Sequence, residues 1–154
     1  MSRFQYSFSV NNKLEHVRNF HSDPRALKDL TPPPIFLTIQ QIEPLVEGSH
    51  SKFTLWVGPF PIRWHAQHRD VNDSGFTDIQ ISGPMRTWEH SHRFEAVSAN
   101  QTIIHEDIKY QHFDGLRGLF TRVLFCKPGL YFLFTARKFL TRLHLKEKKE
   151  RSKL

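Results

Sequence analysis

The chain of 154 residues has one cysteine, Cys126, which excludes an intrachain disulfide and any thiolate metal site built on a CxxC pair. No run approaches the eighteen or so apolar residues of a membrane-spanning helix. The N-terminal MSRFQYSFSV lacks the apolar stretch of a signal peptide, so a reducing, cytoplasmic location is expected. There is no glycine-rich phosphate loop, no GxSxG elbow and no HExxH spacing, which leaves nucleotide cradling, serine-hydrolase and zincin chemistry without a motif. Acidic residues are scarce at the C-terminal end. From Arg137 to Leu154 eight Lys or Arg face two Glu, so most of the net charge of +7 lies there and the rest of the chain is close to neutral. Those basic residues do not interleave with aromatics in the manner of a nucleic-acid platform, and no nucleic acid is expected as a partner. A solvated helix end is the plain reading of the tail, and weak docking on a membrane surface or a partner is the other. The terminal Ser152-Lys153-Leu154 is the peroxisomal tripeptide in a eukaryote, the alternative to the cytoplasm.

What is present is aromatic bulk. Aromatic residues make up 13% of the chain, and 14 of them are Phe, which suits the lining of an apolar interior. The length fits one domain, taken as residues 1–145 with a basic tail over 146–154. Phe4, Tyr6, Phe8 and Val10 alternate with polar neighbours as a first strand with an aromatic inner face. Asn11 or Asn12 can cap a short helix with the stripe Leu14, Val17 and Phe20, and Asp23-Pro24 can open a second one through Leu30. From Ile35 to Gln111 turn signals at Glu47-Gly48, Gly58-Pro59, Asn72 to Gly75, Gly83-Pro84 and Ser98 to Gln101 space a continuous antiparallel meander of about six strands. After Asp114-Gly115, Leu119, Val123, Leu130, Phe134 and Leu143 recur at helical spacing. They predict a long C-terminal helix that Pro128-Gly129 kinks or divides. The fold class is therefore α+β, a curved antiparallel sheet of about seven strands wrapped on the long helix, with two short helices after the first strand.

The segment from Gly83 to Glu95 carries the functional signal. Trp88, His90, His92 and Phe94 fall on one face of a strand, and Glu89, Ser91, Arg93 and Glu95 on the other. Two imidazoles among aromatic bulk suit a ligand-lined cavity better than a plain core. Antiparallel partners have residue numbers that add to a constant, so the turns predict the register. Across Ser98 to Gln101, Phe94 faces Ile104, His92 faces Glu106, His90 faces Ile108 and Trp88 faces Tyr110. Across Gly83-Pro84, His92 faces Phe76, His90 faces Asp78 and Trp88 faces Gln80; across Asn72 to Gly75, His68 faces Asp78, with Trp64 and Ala66 on the same side. Parity puts His65 and His105 on the outer face.

These pieces together resemble the START and polyketide-cyclase superfamily often called SRPBCC, which shares a helix-grip fold with the birch pollen allergen. The resemblance rests on the aromatic first strand, Leu30-Thr31-Pro32-Pro33, Pro61-Ile62-Arg63-Trp64, and Phe76, Asp78 and Gln80 leading to Gly83-Pro84. Trp88, His90, His92, Phe94, Tyr110 and the final helix complete it. It implies the helix-grip fold and a cavity between sheet and helix for a hydrophobic or aromatic molecule, lipid or polyketide-like. Some members act as cyclases, dehydratases or lipid carriers. The chain departs from the pattern in having Glu106 where relatives often carry Asp, and in the Pro128-Gly129 interruption.

Three readings of the cavity residues stand side by side. In one, His90 with Asp78 and His92 with Glu106 are satisfied buried pairs that fix register, and a ligand lies against Trp64, Trp88 and Phe94. In another, His92 and Glu106 form an acid–base pair that removes a proton beside a carbonyl, with His90, Gln80 and Tyr110 as possible donors to the enolate oxygen. The third places a metal on His68, Asp78 and His90, without any metal spacing in the sequence to support it. The resulting expectation is a binding protein whose site is Trp64, His68, Phe76, Asp78, Gln80, Trp88, His90, Phe94, Ile108 and Tyr110, with no metal and no cofactor. A cyclase or dehydratase using His92 and Glu106 is the alternative, and docking by the basic tail a second one.

Overall fold

The computed structural model describes residues 1–23 and 25–151, with side chains as far as Lys146. Seven strands form one antiparallel sheet: β1 (Ser2–Val10), β2 (Ile35–Ile42), β3 (His50–Val57), β4 (Phe60–Asn72), β5 (Gly75–Ser82), β6 (Thr87–Ser98) and β7 (Gln101–Gln111). Their order is β1-β7-β6-β5-β4-β3-β2, the expected meander with β1 added beside β7. The register is also the expected one at the centre. His92 faces Phe76 on one side and Glu106 on the other, and His90 faces Asp78 and Ile108. His68 faces Asp78 across a turn. Gly75 fixes this register where the chain doubles back, since its φ of 152° is foreign to an L side chain and a Cβ there would collide with the carbonyl oxygen of His92.

The short helices are α1 (Leu14–His21) and α2 (Ala26–Asp29). Lys13, not Asn11 or Asn12, is the N-cap of α1, and it gives no side-chain cap. Asn12 is spent elsewhere, its Nδ2 donating to the Leu145 carbonyl at 3.2 Å while its own carbonyl accepts from Thr102 Oγ1 at 2.9 Å. This buried residue ties the start of α1 to the C-terminal helix and the sheet. α2 is shorter than the stretch from Asp23 to Leu30 suggested; Asp23 Oδ1 accepts from the Arg25 backbone N–H at 2.9 Å, and Pro24 lies outside the described residues.

The expected long helix is two, α3 (Gly115–Leu124) and α4 (Lys127–Arg151), set at 42° to each other. Pro128 is the second residue of α4, where the missing N–H costs no hydrogen bond and the fixed φ suits the first turn. It therefore starts a helix instead of kinking one. The break resets the helical phase, which corrects the expected stripe: Leu130 and Phe134 are buried, but Leu119 and Val123 before the break face solvent. Leu143, on α4 itself, faces solvent because nine residues after Phe134 is half a turn round the helix. The inner face of α4 is Leu130, Phe134, Arg137, Thr141 and Leu145, at spacings of four, three, four and four. α4 stays helical to Arg151, past the expected domain edge at 145, while Ser152-Lys153-Leu154 lies outside the described residues. No single helix among the described residues is long and apolar enough to cross a membrane.

Two apolar clusters hold α4 on the sheet. One gathers Phe4, Trp64, Met85, Trp88, Ile108, Tyr110, Leu130 and Phe134. The other gathers Phe8, Val17, Phe20, Phe76, Phe94, Ile104 and Leu145. Tyr6 packs against both and its hydroxyl lies 3.2 Å from Thr135 Oγ1. Between them the concave side of the sheet is left partly unfilled.

Candidate functional site

The unfilled space is a cavity of about 180 Å³ between the sheet, the α1–α2 segment and α4. Its apolar walls include Phe53, Leu55, Trp64, Ala66, Trp88 and Phe125. At one end the wall turns polar, where His68, Asp78, His90, His92, His21 and Arg137 all border it. Alternation along β4, β5 and β6 brings four of these to one face, and cross-strand pairing brings them together.

Glu106 is the anchor. It is buried, lies behind the cavity wall, and accepts from His90 Nε2 at 2.8 Å. His92 Nδ1 lies 2.8 Å from the same Oε2 but off the N–H axis, an ion pair without an aligned hydrogen bond. On its other side His92 Nε2 is 3.4 Å from Asp78 Oδ2. Asp78 Oδ1 is taken by His68 Nδ1 at 2.5 Å. The expected contact of His90 with Asp78 is therefore absent despite their direct pairing. Glu106 is long enough to reach the diagonal neighbour His90 as well as His92, and diagonal partners on an antiparallel sheet are within range of long side chains.

These contacts split the two histidines. Burial pushes the His92 imidazole down, but the charge of Glu106 and the hydrogen bond with Asp78 outweigh it and carry the pKa up to about 9. Burial and the neighbouring His92 charge take His90 down to about 4. The two rings are only 4.0 Å apart between centroids, so one is an imidazolium and the other neutral at neutral pH. Glu106 is held well below the carboxylate range because the charge of His92 and the bond from His90 outweigh burial. Asp78 is held low in the same way by His68 and His92. Phe76 stacks on His92 at 4.4 Å and fixes the ring plane.

Two residues that sequence reasoning missed complete the polar end. His21, at the end of α1, donates from Nδ1 to the Val17 carbonyl at 2.8 Å, which leaves Nε2 as an acceptor, and burial lowers its pKa to about 4. Arg137 projects from the inner face of α4. Its Nε is sealed from solvent without a partner, and among the described residues the guanidinium makes no ion pair; it lies over the Phe134 ring, 5.3 Å from the ring centre. An arginine so placed is a donor with nothing to donate to.

Of the residues expected at the site, the structure places Trp64, His68, Phe76 and Asp78 on the cavity wall, together with Trp88, His90 and His92. It does not place Gln80, Phe94, Ile108 or Tyr110 there. Gln80 is used up by the Met85 backbone, donating to its carbonyl at 2.8 Å and accepting from its N–H at 3.3 Å. Phe94, Ile108 and Tyr110 are packed into the two core clusters, because the sheet curves over more side chains than the cavity can border. His65 and His105 face away from it, against His50 and Glu95 respectively. The residues best set for a metal are Asp78, His90 and His92, whose donor atoms lie within 4.8 Å of one another, instead of His68, Asp78 and His90. A metal there would have to displace the proton that His92 holds.

No family model matches the chain, and no curated protein matches it by sequence. Its shape is matched by solved structures. A START superfamily protein from Mycobacterium smegmatis superposes with a TM-score of 0.70 at 10% identity, over 94% of this chain and 97% of that one. The chain has the helix-grip fold of the START superfamily. Norcoclaurine synthase from Thalictrum flavum, solved with a transition-state analogue, gives 0.67 at 14% identity over 96% of both chains; the same enzyme is also known with dopamine and hydroxybenzaldehyde bound. A nucleoside-diphosphate sugar epimerase from Corynebacterium glutamicum gives 0.71 at 23% identity, where 98% of this chain spans 31% of the epimerase. The SRPBCC resemblance read from the sequence is thus matched at the level of the START-type helix-grip fold, with the curved seven-stranded sheet and the C-terminal helix it implied.

Proposed function

We propose that the cavity binds a small, largely apolar molecule, aromatic in its body and carrying an oxygen-bearing polar group at one end. The observation that carries this reading is the asymmetry of the cavity wall, apolar over most of its area and closing at one end on His92, His90 and Arg137. Apolar walls with a few convergent polar groups are how small-molecule sites gain both affinity and orientation. The volume of about 180 Å³ lies below the roughly 300–1,000 Å³ of drug-sized sites. It favours a single ring or a short chain over a multi-ring polyketide or a two-chain lipid. Arg137 is a donor without an acceptor and His92 beside it is a cation, so the polar group would be an acceptor such as a carbonyl, phenolate or carboxylate.

The test is a fluorescence titration with single-ring phenols, aromatic aldehydes and aryl carboxylates, read by quenching of Trp64 and Trp88 on the cavity wall. Ala66→Phe, which fills the cavity from the sheet side, should abolish the quenching while the far-UV spectrum stays unchanged. Quenching that survives Ala66→Phe would place the ligand elsewhere.

A second reading has its own observation, the opposed shifts of His90 and His92. Neighbouring groups whose environments drive their pKa values apart are suited to act as base and acid. His90 donates its Nε2 proton to Glu106, and its Nδ1, without a hydrogen bond among the described residues, would take a proton from carbon beside a carbonyl as His92 gives one to the carbonyl oxygen. The charge of His92 is part of what holds His90 low, so the proton leaving His92 makes His90 a stronger base as it acts. This is a cyclase or dehydratase chemistry without cofactor, with His92 as the acid and Glu106 as the anion that orients both rings. A substrate whose turnover stops in both His90→Gln and His92→Gln while binding persists would establish it.

A further inference from the structure

α3 wears its apolar stripe on the outside. Leu116, Leu119, Phe120 and Val123 follow the i, i+3, i+4, i+7 pattern of a buried helix face, yet Leu116 is 90% and Val123 67% exposed. The face turned to the protein is Gly118 and Thr121, with the Thr121 hydroxyl donating to the Gly118 carbonyl at 3.0 Å. α4 continues the habit beyond the bend, with Phe132 at 65% and Phe139 at 61% exposure. Phe60, the exposed first residue of β4, lies 5.8 Å from Phe120 and extends the patch onto the end of the sheet at the β3–β4 turn. Isolated exposed leucines need no explanation, but a full amphipathic stripe facing water does.

The charge along this stripe is basic, apart from Asp114 at the N-cap of α3, which is paired with Arg86 at 3.0 Å. Between Gly115 and Lys146 there are seven Lys or Arg and no Asp or Glu; of these Arg137 faces the cavity and Arg142 bonds the Ser9 carbonyl, which leaves five for the outer faces. Arg117, Arg122 and Lys127 are exposed beside the α3 stripe. Arg117 holds its guanidinium 3.8 Å over the Phe113 ring, and Lys138 its ammonium 5.3 Å from the Phe139 ring, so the cations flank aromatic rings. A second copy of the chain is a poor occupant, since pairing two such faces would bring like charges together with only Asp114, already paired with Arg86, to separate them. A helix pair fully inserted in a bilayer is equally poor, because Leu130, Phe134 and Leu145 are already committed to the sheet.

We infer that the outward face of α3 and the start of α4 docks on the surface of an anionic lipid bilayer. Its leucines and phenylalanines would enter the headgroup boundary, and its Arg and Lys side chains would lie against the phosphates. An apolar stripe bordered by basic side chains is the physical signature of helices that lie in the membrane interface. The contact differs from docking by the basic tail expected from the sequence, because it rests on apolar insertion by α3. It places a membrane on the opposite side of α4 from the cavity.

The full-length chain tests this by flotation with phosphatidylcholine vesicles containing about 30 mol% phosphatidylglycerol, and with phosphatidylcholine alone. The anionic vesicles should retain about tenfold more protein at about 50 mM salt, and the preference should shrink at about 500 mM. The double variant Leu119→Glu, Val123→Glu should lose about tenfold of this binding with its melting temperature and cavity-ligand quenching unchanged; Arg122→Gln with Lys127→Gln should lose less and show a weaker salt response. Equal binding to both vesicle types, or undiminished binding of the double variant, would overturn the inference. A dimer in sedimentation that Leu119→Glu, Val123→Glu dissolves, without vesicle binding by the parent, would also overturn it and assign the face to a second copy.

Discussion

The polar end of the cavity and the outer face of α3 invert the usual placement of side chains. At the first, seven ionisable groups on four adjacent strands, α1 and α4 are gathered away from open solvent; at the second, a row of leucine, phenylalanine and valine is left in water. The cavity end tolerates burial because nearly every charge has a partner: Glu106 serves two imidazoles, and Asp78 serves His68 and His92. Buried charge is costly only when unpaired. Nothing among the described residues covers the outer stripe of α3 in this way. The difference teaches where each surface is incomplete: the cavity lacks a partner for Arg137, and α3 lacks an apolar cover.

The comparison can be broken most forcibly at Glu106. Glu106→Gln removes the anion shared by His90 and His92 and leaves a buried imidazolium half-paired, a change that costs about 3–5 kcal/mol; urea unfolding measures it. A loss no greater than that of a surface substitution would mean that the cluster is not held by that charge.

A change of pH acts on the same end without mutation. The folded pKa of His92 lies above its ordinary 6.5, so its stabilisation is complete below pH 6.5 and is lost as pH rises towards about 9. His90 and His21 lie below 6.5, at about 4. The unfolded chain then binds more protons than the native one between those values, and stability falls as pH drops from 6.5. Asp78 and Glu106, both held low, add a further loss below the ordinary carboxylate range. Thermal melts across pH should therefore peak near 6.5, and His92→Gln should flatten the alkaline limb and also weaken the acid one, since the His92 charge helps to hold His90, Asp78 and Glu106 low.

Smaller effects belong to the incomplete partners. Arg137→Met removes a donor that has no acceptor and should change stability by less than about 1 kcal/mol, while weakening binding of an aryl carboxylate about tenfold by the loss of a charge-assisted bond. At α3, Val123→Glu should fall within about 0.5 kcal/mol of the parent in urea unfolding, since it removes no internal contact. A large loss there would show that the stripe packs on the protein after all.

Much of the sheet was legible because its pattern is local and its turns are short. Once the turns near Ser98 and Gly83 are placed, the number of intervening residues determines which side chains face each other, and His92 falls between Phe76 and Glu106 by arithmetic. Which atoms then bond is not determined that way. Glu106 reaches the diagonal His90, and Gln80 turns aside to the Met85 backbone, both through side-chain length and the lean of a twisted sheet. The helices were harder to read, because a periodic pattern carries phase only along an unbroken helix. The break at Phe125 and Cys126 put Leu119 and Val123 out of phase with Leu130 and Phe134. It also hid Arg137, which stands seven residues after Leu130 on the same inner face and was read as part of a basic tail. His21 stands four residues after Val17 and seven after Leu14, on the stripe of α1 that the spacing already turns inward.

The central claim is that two touching histidines at the end of an apolar cavity hold opposite protonation states at neutral pH, and nitrogen-detected NMR of the imidazole rings tests it most directly. His92 should stay doubly protonated until pH approaches about 9, while His90 should stay neutral until pH falls towards about 4. Titration of both rings together near their ordinary 6.5 would contradict the account.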